Sequence, residues 1–114
     1  MRVASRDGLE AFTTKDGSTI REYHHTALQS LAEASLAAGQ STQRHQHRET
    51  EEIYMLLRGE GELEIDGNTK HVSSGDAILI PPGAWHQITA TTELDFLCCC
   101  VPPYRDEDTF FADS

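Results

Sequence analysis

An all-β sandwich or barrel is the fold class this sequence predicts, and three observations carry it. Apolar and polar residues alternate in short runs, most cleanly from Glu60 to Asp66, where Leu63 and Ile65 oppose Glu62, Glu64 and Asp66. That alternation marks a half-buried antiparallel strand. Glycine, proline and aspartate turns separate such runs at near-regular spacing, as sandwiches and barrels require. The length, 114 residues, allows one domain with a real core and no second one.

Taken in order, residues 10–14 and 18–23 flank Lys15-Asp16-Gly17. The Asp-Gly step favours a tight turn, so 10–23 reads as a first hairpin. His24 and His25 are adjacent, fall on opposite faces of a strand, and read as surface or edge histidines. Residues 27–38, ALQSLAEASLAA, admit two readings. Their Ala and Leu content has high helix propensity, while Ala32, Ala34 and Leu36 against Glu33 and Ser35 give period two.

His45 and His47 are separated by one residue. On a strand both imidazoles point the same way. Five residues after His47, Glu52 opens the apolar run IYMLL. The polar link Arg48 to Glu51 is short enough for a hairpin, which would fold the Glu52 carboxylate back beside the imidazoles. Two neutral nitrogens and a carboxylate oxygen converging on one point suit a divalent transition metal. Taken alone, H-x-H reads more simply as a polar, solvated hairpin with two exposed histidines.

Beyond the 60–66 strand, Asp66-Gly67-Asn68 turns the chain and 69–73 returns it, with His71 outward because Val72 is the buried neighbour. Ser74-Gly75-Asp76 turns again, 77–80 is a strand, and Pro81-Pro82-Gly83 ends it, since proline cannot donate to a ladder. Residues 86–90 and 94–101 are the last strands. In the tail, Asp106 or Asp108 is expected to cap a helical turn. Tyr104, Phe110 and Phe111 are too apolar for a free tail and should cover a barrel end or a partner subunit.

Two segments together carry a family resemblance. Gly39, His45, His47, Glu52 and Gly59 keep the spacing of one motif, and Gly75, Pro81, Gly83 and His86 that of a second. Both resemble the paired motifs of the cupin superfamily. Ala90 stands where the second motif has asparagine, a position that is not a ligand in the family. The resemblance implies a single cupin domain over 1–114, an antiparallel jelly-roll barrel (a double-stranded β-helix) with its core at about 28–101 and a tail at 102–114. It also requires a strand entering Gly39, so 31–37 is expected to be extended, with at most a turn of helix at 27–30. It further implies that His45, His47, Glu52 and His86 hold one divalent transition metal (Fe, Mn, Ni, Cu or Zn).

Strand parity extends the site. Gln43 shares the face of His45 and His47, Tyr54 and Leu56 that of Glu52, and Ile88 that of His86. With Trp85 at the rim or wedged at the turn, these outline an apolar pocket for a small organic substrate. Tyr54 is the one pocket group able to carry a proton. Arg44, Arg48 and Arg58 have opposite parity or lie in turns and are expected to be solvated.

The net charge of −10 and pI near 4.8 argue against nucleic acid or an anionic membrane as partner. The first residues lack the apolar core of a signal peptide, and no run of ~18 apolar residues exists. Cys98, Cys99 and Cys100 are contiguous and odd in number. They make no disulfide framework and read as small buried hydrophobes. A cytoplasmic homodimer is the expected form. The expected activity is that of a metal-dependent dioxygenase-type oxidoreductase. The alternatives are a lyase or isomerase using Tyr54 as acid or base, or a non-catalytic small-molecule binder.

Overall fold

The computed structural model describes residues 1–113. Within them the chain folds as two facing antiparallel sheets, and nearly every predicted run becomes a strand. One sheet has the order β1 (Phe12–Thr13), β2 (Thr19–His25), β3 (Ser30–Leu36), β10 (Leu94–Val101), β5 (Glu51–Arg58) and β8 (Ala77–Ile80). The other runs β11 (Thr109–Phe111), β4 (His45–His47), β9 (His86–Ala90), β6 (Glu60–Ile65) and β7 (Asn68–Ser73). This is the antiparallel double-stranded β-helix that the resemblance implies. Leu36, Leu56, Ile80 and Phe96 from the first sheet meet Leu63, Val72 and Ile88 from the second between the layers. No helix among the described residues is long and apolar enough to cross a membrane.

The alanine-rich segment is a strand, and residues 27–29 are extended or bent, without a helical turn. β3 sits between β2 and β10, with Ala34 paired to Ile20 on one side and Phe96 on the other. Two ladders and an inward apolar face outweigh helix propensity. Glu33 faces outward, as its parity requires, yet is only 4% exposed. A 3₁₀ turn at Arg6–Gly8 lies over it, and Nε of Arg6 donates to both carboxylate oxygens at 3.1 Å.

Three expectations need correction. The link after His47 is not a hairpin: β4 pairs with β9 and β11, whereas β5 belongs to the opposite sheet, so Arg48 to Thr50 cross between layers. Neither Asp106 nor Asp108 caps the 3₁₀ turn Asp106–Asp108 in which both lie. The Asp108 carboxylate instead accepts hydrogen bonds from the backbone N–H groups of Arg48, Glu49 and Thr50 at 3.1–3.2 Å. The arginines are not simply solvated. Arg44 pairs with Glu64 at 2.7 Å and stacks on Trp85, Arg48 lies over Phe110, and Arg58 bridges Glu93 and Asp95. The tail covers this chain's own barrel, because β11 adds an edge strand to β4.

Two motif glycines show why the spacing holds. Gly59 turns from β5 to β6 at φ +88°, and a Cβ there would collide with the carbonyl oxygen of Glu93, so only glycine fits. Gly83, at φ +81°, donates its N–H to the carbonyl of His47 at 2.7 Å. The Pro-Pro-Gly turn is thereby tied to the H-x-H strand, with β9 beginning immediately after it.

Candidate metal centre

His45 and His47 project inward from β4, and His86 projects inward from β9, where His45 and His86 are register partners. All three are buried, at 2%, 4% and 1% exposure. Their ligand atoms lie within 4.8 Å of one another, so the triad could hold a metal ion. Glu52 enters from the opposite sheet, on β5. Its Oε1 lies 3.5 Å from Nε2 of His47 and 3.5 Å from Nε2 of His86.

The imidazoles are oriented by what their other nitrogen bonds. Nδ1 of His45 donates to the carbonyl of Gln43 at 2.7 Å, and Nδ1 of His86 to that of Ala84 at 2.9 Å. Nδ1 of His47 lies 3.2 Å from Oγ1 of Thr109, whose own proton goes to the carbonyl of Arg105, so the imidazole is the donor. Each proton therefore sits on Nδ1, leaving the Nε2 lone pair facing the centre. Burial and the neighbouring His86 push His45 down to about 4, and burial lowers His47 as well, so both are neutral near pH 7. Oε1 of Glu52 and Nε2 of His86 are buried without a hydrogen-bond partner among the described residues.

A cavity of about 60 Å³ opens beside His45, His47 and Glu52, between them and the β1–β2 hairpin. Tyr54 lines it and is 3% exposed. Burial and the charge of Glu52 raise its phenol well above the usual range, so it stays protonated. Cys98 and Cys100 line the same wall, and Sγ of Cys100 donates to Oε2 of Glu52 at 3.3 Å. Burial raises both thiols, which stay protonated. The three cysteines are free, as expected.

The other pocket residues drawn from parity are not in the wall. β4 starts at His45, so alternation does not reach back to Gln43; its side chain is exposed and only its backbone serves the site, through its carbonyl and an N–H bond to Asp16. Trp85 precedes an inward residue in extended chain and therefore faces outward, against Arg44. Leu56 and Ile88 face inward but lie one pleat past the cavity, in the closed core at 1% and 0% exposure.

Sequence reasoning missed Asp16, Thr109, Asp108 and Tyr104. Asp16 and Tyr104 line the cavity, and the first two sit beside His45 and His47. Their one local signal is Thr14-x-Asp16-x-Ser18, hydroxyls spaced to bond a turn aspartate.

Comparison with known proteins bears on family and fold. Residues 32–102 match the family described as Cupin domain. An uncharacterized protein of Methanocaldococcus jannaschii is 43% identical over 110 residues, covering 90% of this chain and 88% of that protein. The oxalate-binding protein of Thermotoga maritima is 31% identical over 83 residues, covering 71% and 69%. Among solved structures, KdgF from Halomonas sp. superposes with TM-score 0.84 at 20% identity, over 94% of this chain and 97% of that one. The nucleoside dehydratase PAC13 superposes with TM-score 0.85 at 15% identity, over 98% and 91%. Those two likenesses are of fold.

Proposed function

Because the chain belongs to the cupin domain family, we propose that it is a metal-dependent enzyme acting on one small organic molecule. His45, His47, Glu52 and His86 would hold a single divalent transition metal, and the cavity beside them would take the substrate. One observation carries this reading. Three Nε2 lone pairs and a carboxylate oxygen converge, with no donor between them and two of the atoms wholly unpartnered. Buried acceptors facing one another are unfavourable without a cation. The donor set, nitrogen and oxygen with no thiolate, suits Fe, Mn, Ni, Cu or Zn.

When bound, a redox-active ion would supply oxygen chemistry and a redox-inert one Lewis-acid polarisation. The chain's own residues prepare the site for either. Thr109 and two backbone carbonyls fix the imidazoles. The Cys100 thiol steers Oε2 of Glu52, leaving Oε1 toward the centre. Phe12, Ile20 and Ala32 make much of the remaining wall apolar. A dioxygenase-type reaction is favoured by that wall and by a Tyr54 held protonated, which cannot serve as a phenolate base. The second reading, a lyase or isomerase, is favoured by the same proton if Tyr54 donates it to a leaving group.

The relative from Thermotoga maritima is named for oxalate, but in this cavity only a metal could offset that ligand's charge, because among the described residues no arginine or lysine lines it. The deciding experiment is oxygen consumption by protein loaded with Fe, Mn, Ni, Cu or Zn, across small oxygenated and aromatic compounds. Uptake with the redox-active ions alone supports the dioxygenase reading. Turnover without oxygen, equal with Zn, would replace it by the second.

A further inference from the structure

Asp16 lies outside the four proposed ligands, at the tip of the β1–β2 hairpin, and uses its two carboxylate oxygens differently. Oδ1 accepts from Oγ1 of Thr14 at 2.6 Å, from Oγ of Ser18 at 2.7 Å and from N–H of Ser18 at 3.0 Å. Those bonds outweigh burial, which alone would raise the carboxyl, and hold it below its usual range. Oδ2 takes no part in them and stands 4.0 Å from Nε2 of His45, at the cavity wall. With Nδ1 of His45 committed to Gln43, both facing atoms are acceptors. With that Nε2 given to the metal, Oδ2 alone is left at the cavity wall as an acceptor without a protein donor among the described residues.

The rest of the wall narrows what supplies that donor. Among the described residues the cavity is lined by Asp16, Glu22 (whose carboxylate meets His25) and Glu52, and by no arginine or lysine. A divalent ion is offset by Glu52 and Asp16 before Glu22 is counted. A dicarboxylate would bring two further negative charges into a space without a basic side chain. A neutral molecule carrying O–H or N–H beside its metal-binding atom would instead give Asp16 the donor it lacks. The volume, about 60 Å³, has room for a few waters at roughly 10–15 Å³ each, which suits a small ligand.

We propose, resting on the metal-centre reading above, that Asp16 is a specificity-determining residue that accepts a hydrogen bond from a small neutral ligand and turns dicarboxylates away. The chemical class is an α-hydroxy amide, a diol or a similar uncharged chelator with a donor at its binding atom. Asp16→Asn is the conservative probe, because Oδ1 keeps its three hydrogen bonds while the charge is removed.

The test uses Zn-loaded wild type and Asp16→Asn, with zinc per chain measured for both, and calorimetric titration with glycolamide, glycolate and oxalate. Affinities are taken relative to those for the aqueous ion. In wild type the protein should cut the advantage of oxalate over glycolamide on free zinc by about tenfold or more, the size expected for a carboxylate a few ångströms from the ligand. Asp16→Asn should restore most of that loss. Wild type that keeps the aqueous order overturns the proposal without need of the variant. A folded Asp16→Asn protein with unchanged selectivity overturns it too, and one that loses its zinc would make Asp16 a ligand instead. Wild type that takes up no zinc or other divalent ion would bring down the metal centre and this inference with it.

Discussion

An unpartnered buried polar atom costs about 1–3 kcal/mol, and Glu52 and His86 each carry one at the same point. A bound cation removes that cost, so metal content is the first quantity to measure. Wild type should carry one divalent metal per chain, and His47→Ala or His86→Ala should carry almost none. Unchanged content in both variants would end the assignment. Without metal, the same imidazoles make stability depend on pH. His45 is held at about 4 in the folded chain against 6.5 when exposed, and His47 is lowered in the same direction. The unfolded state therefore binds more protons between these values, and stability falls as pH drops through that window. Chelator-treated protein should melt progressively lower as pH falls from 6.5 toward 4, with a shallower slope in His45→Gln. Tyr54→Phe should keep fold and metal. It should cost on the order of 10²–10⁴ in rate if Tyr54 donates the proton, and far less if the reaction is a dioxygenation. The four candidate ligands were legible because their spacings together resemble the paired cupin motifs, whereas H-x-H alone reads more simply as a solvated hairpin. Gln43 and Trp85 were misplaced because parity ends where a strand begins. Asp16 and Thr109 were missed because they reach the site from far along the chain, one from the β1–β2 turn and the other from the start of β11.

At the scale of elements, the β4–β5 crossing is held from outside by the tail. His47 and Glu52 flank a link whose three consecutive backbone N–H groups all bond the buried Asp108 carboxylate. Thr109, the next residue, fixes His47. Asp108→Ala strands those donors, and charge-assisted bonds of this kind make a loss of about 2–4 kcal/mol the expectation, read as a lower urea midpoint at constant slope. Thr109→Val leaves Nδ1–H of His47 without its acceptor and should cost about 1–3 kcal/mol. It should weaken metal affinity about 10–100-fold, as removal of a partner to a metal-bound imidazole does. Equal metal affinity in Thr109→Val would mean that the β4–β9 pairing alone orients His47. The strands themselves were legible from alternation and turn residues, including the alanine-rich β3 once its place before Gly39 was weighed. Which sheet each strand joins was not. A short polar link looks the same whether it closes a hairpin or crosses between layers, and only long-range pairing decides.

The whole molecule has one face that its own fold leaves uncovered. On the outside of the six-stranded sheet, Ile53 pairs across to Leu79 and Cys99, Met55 to Ala77 and Leu97, and Leu57 and Val101 continue the surface. Ile53, Leu57, Leu79 and Val101 are 40–55% exposed. β8 is also the free edge of that sheet, so apolar side chains and unpaired backbone groups meet along one border. Isolated apolar residues on a surface need no explanation, but a contiguous patch beside an open strand edge does. The tail cannot be its cover, since β11 is already paired with β4 on the other sheet. We propose that a second copy of the chain covers it, since a two-fold arrangement buries the same patch on both subunits. The acidic chain, at net charge −10, would keep its other surfaces apart while the apolar patches meet, with Glu51 at the border beside Val101. Light scattering should then give twice the chain mass of 12.7 kDa, independent of concentration in the micromolar range. Leu79→Glu, which places a charge where the patch meets the free edge and touches neither the core nor the cavity, should return the mass to that of one chain with metal content unchanged. A wild-type protein that scatters as a single chain at every concentration would show that this face is left to solvent.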